Sequence, residues 1–140
     1  MFNLYGNDRL IEWKRFRDSL EDSDTPFEDV AIFWSHAPFV EPYLDPHNSS
    51  KWPDPWHLVL DLRLDNLAIA LGMLYTIKLT QRFSGIRCEI YMSMLPGKNS
   101  PEYWLVVDNR VLNCEYRSVV AVENLPEAQT NIVWSGTELP

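Results

Sequence analysis

Hydrophobic residues recur every three or four positions near the start of the chain, which predicts a helix over residues 8–20. Two further helices are predicted to begin at Pro26 and Pro55, because each proline directly follows a capping side chain. The run Leu67–Ile77 is apolar on nearly every face and predicts a central buried helix. Gly72 within it should cost that helix about 1 kcal/mol, so we expect another backbone to approach closely there. The recurring positions of the first helix are Leu10, Trp13, Phe16 and Leu20.

From Ile86 onward the period of the hydrophobic pattern changes to two residues, which predicts a strand with one buried face. Asp108-Asn109 lies between two apolar runs and predicts a tight hairpin. Apolar runs at 119–122 and 132–134 predict two more strands. Helices followed by consecutive strands are typical of an α+β domain. We therefore predict N-terminal helices and a central buried helix packed on an antiparallel β-meander.

Segment 38–56 contains five prolines interspersed with aromatic residues. An unstructured linker would not need so many aromatic side chains, so we expect an arm or ordered loop packed on the body. The residues before it could not form a separate core, and we predict a single domain over residues 1–140. Phe39, Tyr43 and Trp52 are predicted to anchor a protein partner, as aromatic side chains do at interface centres. Packing of these side chains on their own chain remains an alternative.

Acidic residues are concentrated in the first half of the chain. The net charge is −8, and residues 1–65 hold 13 acids against six Lys or Arg. Such a field repels phosphate backbones, so we predict no nucleic-acid partner. Two interpretations remain open, a solvated face that maintains solubility and a docking surface for a basic protein. The candidate docking acids are Asp18, Glu21, Asp22 and Asp24.

No motif for catalysis, a metal or a cofactor is recognisable in the sequence. His36, His47 and His57 lack the regular spacing of a zinc site, and the five glycines stand alone rather than forming a phosphate loop. We predict no metal, no cofactor and no enzymatic activity. A hydrolase using carboxylates or His57 remains an alternative, which a pocket joining His57 to an acid with a shifted pKa would support. Helix caps and turns explain the nearby acids Asp45, Asp54, Asp61 and Asp65.

Cysteine usage and hydropathy bear on the compartment. Cys88 and Cys114 are too few for a disulfide framework, which favours a reducing environment. The N-terminal residues lack the pattern of a signal peptide. The longest near-apolar stretch, Leu67–Ile77, is too short to span a bilayer. We expect a protein that is neither secreted nor inserted in a membrane.

The second half of the chain resembles the core of transglutaminase-like cysteine enzymes over about residues 64–115. In that family a nucleophilic Cys begins a buried helix, a His lies on the next strand, and an Asp lies on the strand after. The resemblance places these positions near Asp65 or Asn66, near Glu89 and near Asn113. None of them carries the residue of the family. The resemblance therefore implies the scaffold without its usual chemistry.

The segments Trp52–Leu58 and Leu67–Ile77 also resemble small proteins of tailed bacteriophages. This resemblance implies a virion component. Together with the missing motifs, it leads to the hypothesis of a non-enzymatic structural subunit of the neck, tail or capsid. Such a subunit would act through contacts with other protein subunits in an oligomeric assembly, in the virion or the host cytoplasm. The alternative is a small acidic protein that binds and inhibits a host factor.

Overall fold

The computed structural model describes residues 1–140. Four α-helices precede five β-strands along the chain, so the α+β prediction is confirmed. The elements are α1 (Asn7–Leu20), α2 (Pro26–Trp34), α3 (Pro55–Asp61), α4 (Asn66–Lys78), β1 (Cys88–Met94), β2 (Glu102–Val107), β3 (Arg110–Leu112), β4 (Val120–Ala121) and β5 (Gln129–Gly136).

All strand pairs are antiparallel, and the strand order in the sheet is β4-β3-β2-β1-β5. Strands β1 to β4 form the predicted meander, and Asp108-Asn109 makes the tight turn between β2 and β3. Strand β5 departs from the meander because it returns to pair with β1. This return makes β1 a central strand and β5 an edge.

Side chains cap the starts of α3 and α4, as the sequence indicates, whereas Thr25 before α2 makes no capping hydrogen bond. Asp54 accepts a hydrogen bond from the His57 N–H at 2.9 Å, and Asp65 accepts one from the Ala68 N–H at 2.7 Å. Each carboxylate satisfies a backbone donor that has no partner within the helix. The start of α1 differs from the prediction, because Asn7 is its first residue and Gly6, at φ 55°, takes the capping position.

The main core surrounds α4, which is buried along Leu67–Lys78. A Cβ atom at Gly72 would lie 2.3 Å from the Trp34 indole. The close approach expected at this glycine therefore comes from a side chain rather than from a backbone. Thr76 Oγ1 accepts hydrogen bonds from Trp13 Nε1 at 3.0 Å and Trp34 Nε1 at 2.9 Å, and donates to the Gly72 carbonyl at 2.6 Å. One hydroxyl thus satisfies two buried indoles.

Helix α4 ends at Lys78, one residue after the apolar run that predicts it. Lys78 Nζ donates to the carbonyls of Ser84 at 2.6 Å and Ile86 at 2.7 Å. The ammonium group therefore holds the turn that leads into β1, and its charge is satisfied by carbonyls that a longer helix would not present.

The outer face of the sheet, opposite α4, carries a second and smaller core. Trp104, Val106 and Val111 form it. Because side chains alternate along a strand, Tyr103 and Leu105 on β2 face the main core, whereas Trp104 and Val106 face outward. The chain after β3 covers this face with partly buried Cys114, Leu125 and Ala128.

The arm 38–56 hydrogen-bonds to the start of α4. The Val40 N–H donates to the Leu64 carbonyl at 3.0 Å. The N–H groups of Tyr43 and Leu44 donate to Asp65 Oδ2 at 2.9 and 3.0 Å. Asp65 therefore caps the helix with one oxygen and holds the arm with the other. No helix combines the length and apolar character needed to cross a membrane.

Candidate functional site

A cleft of about 330 Å³ opens at the start of α4, between α2 and the loop that follows β3. Apolar side chains from α2 and α4, including Trp34 and Ile69, form part of its wall. The rest of the wall is polar and comes from three separate parts of the chain. The polar residues that carry the following description are Asn66, Glu102, Asn113, Cys114 and Glu115.

An amide network fixes the polar wall. Asn66 Oδ1 accepts a hydrogen bond from the Tyr103 N–H at 2.7 Å, and Asn113 Nδ2 lies 3.3 Å from the same oxygen. Asn113 Nδ2 also donates to the Tyr103 carbonyl at 2.8 Å. The Tyr103 N–H can only donate, so the Asn66 atom facing it must be the oxygen. The Asn66 amide nitrogen lies on the other side of its carboxamide and remains available as a donor.

This network corresponds in part to the positions that the transglutaminase-like resemblance implies. Asn66 begins the helix and meets Asn113, as expected. The strand between them is β2, which contributes Tyr103, and not β1. Glu89 pairs with Val106 and takes no part in the network. The expectation for Glu89 is therefore wrong, because the sheet brings the start of β2 to the start of α4.

Cys114 follows Asn113 directly and lines the cleft beside two carboxylates. Burial raises the pKa of its thiol to about 11, and the nearby negative charges of Glu102 and Glu115 act in the same direction. Glu102 Oε2 is buried and has no hydrogen-bond partner. No sequence motif identified Cys114, Glu102 or Glu115 as candidate site residues. The available signals were weak, since Cys114 ends an apolar strand pattern and Glu102 begins one.

A second pocket, of about 410 Å³, contains His57 on α3 together with Lys51, Asp61 and Arg63. His57 Nδ1 lies 2.7 Å from Asp54 Oδ2. This hydrogen bond raises the pKa of His57, and the backbone and side-chain hydrogen bonds from His57 lower the pKa of Asp54. The two side chains are 70% and 51% exposed. The structure thus contains the histidine–acid pair beside a pocket that the hydrolase alternative required.

The three aromatic residues predicted to bind a partner occupy different environments. Phe39 is 64% exposed and lines the cleft at α4. Tyr43 is half-buried, its hydroxyl donates to the Arg63 carbonyl at 2.5 Å, and the Arg63 guanidinium lies 3.9 Å from its ring centre. Trp52 is buried, and its Nε1 donates to the Asp45 carbonyl at 2.8 Å. Of the three, Phe39 leaves the largest surface free, and partner binding by these residues stays a prediction.

The acidic candidates are also unlike one another. The Glu21 carboxylate accepts hydrogen bonds from the N–H groups of Gln81 at 3.0 Å and Arg82 at 2.9 Å, so it caps a turn of its own chain. Asp18 pairs with Lys14 at 3.1 Å on the surface of α1. Asp22 and Asp24 are exposed. Their role in docking a basic partner likewise stays a prediction.

A comparison with solved structures fits the transglutaminase-like resemblance at the level of the fold. Among solved structures, the chain is similar to calcium-bound LapG of Legionella pneumophila. The TM-score is 0.67 at 16% sequence identity, and the match covers 92% of this chain and 74% of that chain. No protein-family model matches the sequence. No curated protein matches it either.

This finding corrects two predictions. LapG is a cysteine protease of the transglutaminase-like fold. The hypothesis of a non-enzymatic virion subunit is therefore contradicted, since the shared fold is hydrolase-like and nothing supports a phage structural role. The prediction that the chain is not an enzyme is contradicted for the same reason. The missing family motif led to both errors, because it was interpreted as the absence of any active site.

The bound calcium of LapG has no counterpart in the donor set of this chain. No three His, Cys, Asp or Glu side chains come together in a group that could hold a metal ion. Calcium requires six to eight oxygen ligands. The residues present therefore do not fit a calcium site.

Proposed function

We propose that this protein is a hydrolase that cleaves acyl bonds, either amides or esters, in the cleft at the start of α4. One observation carries the proposal: Cys114 and Glu102 line the same cleft, close enough for the carboxylate to raise the pKa of the thiol. The hydrolase-like fold supports it. The site departs from the arrangement that the resemblance implies, because the thiol comes from the loop after β3 and not from the start of α4.

Cys114 acts as the nucleophile and Glu102 as its general base. With a pKa of about 11, roughly one thiol in ten thousand is ionised at pH 7. The thiol therefore needs a base during the attack itself. Glu102 removes the S–H proton while the sulfur attacks the carbonyl carbon. It then gives this proton to the leaving amine or alcohol as the scissile bond breaks.

The second half of the reaction releases the acyl group. A water molecule attacks the thioester and gives a proton to Glu102, the carbon–sulfur bond breaks, and the proton returns to the sulfur of Cys114. The Asn66 amide nitrogen is the donor that the cleft offers to the oxyanion formed in each step. Its orientation is fixed by the hydrogen bonds that hold Asn66 Oδ1, and a donor held in advance stabilises developing charge best.

A second candidate site for hydrolysis is the pocket beside α3. The bond between His57 Nδ1 and Asp54 leaves Nε2 free to act as a base toward water. The cleft at α4 is the better candidate for two reasons. The His57–Asp54 pair is largely exposed to solvent, and Asp54 already serves as the cap of α3.

The first experiment measures hydrolysis of p-nitrophenyl acetate and cleavage of a defined peptide mixture, followed by mass spectrometry. We compare the wild-type chain with C114A, E102Q and H57Q. The matched control is C88A, which removes the other cysteine, a fully buried residue of the main core. Loss of one catalytic group should lower kcat/KM by about 100-fold or more.

Loss of activity in C114A and E102Q, with activity retained in C88A and H57Q, is the expected result. Loss of hydrolysis in H57Q alone would indicate that the active site is the pocket beside α3. Equal rates in all variants, or no hydrolysis by the wild-type chain of any ester or peptide, would overturn the proposal. Circular dichroism of each variant separates lost chemistry from lost folding.

A further inference from the structure

Three buried polar atoms without hydrogen-bond partners lie on the outer face of the sheet. They are Ser93 Oγ, Glu102 Oε2 and Trp104 Nε1. Ser93 is fully buried and Trp104 is 1% exposed. More than nine in ten buried polar groups in proteins have a partner. These three atoms share one face of the sheet and lie at neighbouring positions on β1 and β2, so a common ligand could pair with them.

The strand register brings these side chains together. Ser93 on β1 lies directly opposite Glu102 on β2. Trp104 follows Glu102 by two residues and therefore projects from the same face. Directly opposite Cβ atoms lie about 5 Å apart and diagonal ones about 7 Å apart. Side chains that converge from these positions can share one small molecule between them.

The hydrogen-bonding capacities of the three atoms indicate which kind of ligand could bind between them. Trp104 Nε1 can only donate, an ionised Glu102 carboxylate can only accept, and the Ser93 hydroxyl can do both. A cation would be repelled by the indole N–H, and an anion by the carboxylate. Water accepts from the indole, donates to the carboxylate and can satisfy the hydroxyl. An internal water usually makes about three such bonds.

We propose that one internal water molecule binds between Ser93, Trp104 and Glu102 and fixes the inner oxygen of the Glu102 carboxylate. This inference rests on the proposed function, in which Glu102 is the general base. With Oε2 held by the water, the other oxygen keeps a constant orientation toward the thiol of Cys114. Ser93 and Trp104 are then positioning residues, since they act on the reaction through Glu102.

The first test of this site is nuclear magnetic resonance of the indole protons. A long-lived water should give a direct nuclear Overhauser effect to the Trp104 Nε1 proton. The internal control is the Trp34 Nε1 proton, which is bonded to Thr76 and should show no such effect. The signal at Trp104 should weaken in S93A, because the water then loses one of its three partners.

A Trp104 indole proton without any contact to water in the wild-type chain would overturn the water site. A high-resolution crystal structure with a direct Trp104–Glu102 hydrogen bond and no water between them would do the same.

The second test measures kinetics with an acyl substrate that the wild-type chain hydrolyses. S93A should lower kcat about tenfold with little change in KM, and S93T, which retains the hydroxyl, should restore it. A purely structural role would change both constants or neither. If the water is present but S93A has wild-type kcat, the positioning role is wrong. If the water is present but E102Q is fully active, the proposed function fails while the water site stands.

Discussion

Tryptophan side chains are buried in both cores, but their indole N–H groups differ in whether they have a hydrogen-bond acceptor within the protein. On the face covered by α4, Trp13 and Trp34 both donate to Thr76 Oγ1. On the outer face, Trp104 Nε1 has no protein partner, and neither has the nearby Ser93 hydroxyl. The two faces belong to one sheet and share strand β2. The difference therefore arises from the segments that cover each face.

We infer that the main core contributes mainly to stability, whereas the smaller core on the outer face contributes mainly to the candidate site. In the main core the buried indoles of Trp13 and Trp34 have an acceptor within the protein, which avoids the cost of leaving a buried donor unpaired. The outer face keeps groups without a protein partner next to a cleft, and such departures from full pairing within the protein are typical of functional sites. Substitutions in the main core should thus affect folding, whereas substitutions on the outer face should affect activity more than folding.

Thr76→Val should have the largest effect on folding. The variant leaves the indole N–H groups of Trp13 and Trp34 buried without an acceptor, and each such group costs about 1–3 kcal/mol. We expect the free energy of unfolding to fall by about 2–4 kcal/mol in urea denaturation. Thr76→Ser keeps the hydroxyl and is the matched control. If Val and Ser reduce stability equally, the shared acceptor does not stabilise the main core.

Gly72→Ala should have the second-largest effect on the free energy of unfolding. The new methyl group would lie 2.3 Å from the Trp34 indole, and overpacking of this kind costs about 1–3 kcal/mol. The higher helix propensity of alanine offsets roughly 1 kcal/mol. We expect a net loss of up to about 2 kcal/mol in thermal or urea unfolding. Gly85→Ala is the control, because nothing lies within 4 Å of its Cβ position, and a loss of the same size there would contradict the explanation.

Ser93→Ala is the counterpart of Thr76→Val, because it removes a buried hydroxyl on the outer face as Thr76→Val does in the main core. Ser93 Oγ has no protein partner, so the free energy of unfolding should fall by less than about 1 kcal/mol. Urea denaturation of both variants, measured side by side, gives the difference directly. A loss as large as that of Thr76→Val would mean that the two faces are equally dependent on their hydroxyl groups.

The smallest expected effect is a pH dependence that arises outside both cores, at His57 and Asp54. The raised pKa of His57 contributes stability that is full below about pH 6.5 and is lost as the pH rises through the folded-state value. The lowered pKa of Asp54 contributes stability above about pH 3.8, which is lost on further acidification. His57→Ala should therefore destabilise the chain more at pH 5.5 than at pH 8.5.

Unfolding of His57→Ala and wild-type chains at the two pH values provides the measurement. Asp54→Asn keeps an oxygen for the helix cap but removes the charge, so it should abolish the same difference. A destabilisation by His57→Ala that is independent of pH would show that the pair does not act through its charges.

Local signals predicted the elements of the fold well. The prolines after Asp54 and Thr25 mark helix starts that the structure contains, and the change of period near Ile86 marks the beginning of the sheet. The site was not predictable in the same way. Asn66, Tyr103 and Asn113 come from separate elements. The transglutaminase-like resemblance implied that Asn66 and Asn113 meet, but no spacing in the sequence indicated Tyr103, Glu102 or Cys114. The order of elements indicated the transglutaminase-like scaffold, but the functional hypothesis failed because none of the implied positions carries the residue of the family, and the sequence identity to LapG is only 16%.

Caps, prolines and the hydrophobic period specify where the chain forms helices and strands, because they act over a few neighbouring residues. Long-range packing is what places Trp34 on Gly72, returns β5 to β1 and brings Glu102 beside Cys114. These contacts join residues far apart in the chain, and their energies depend on the packing of whole elements. A cleft formed in this way has no signature in any one segment of the sequence.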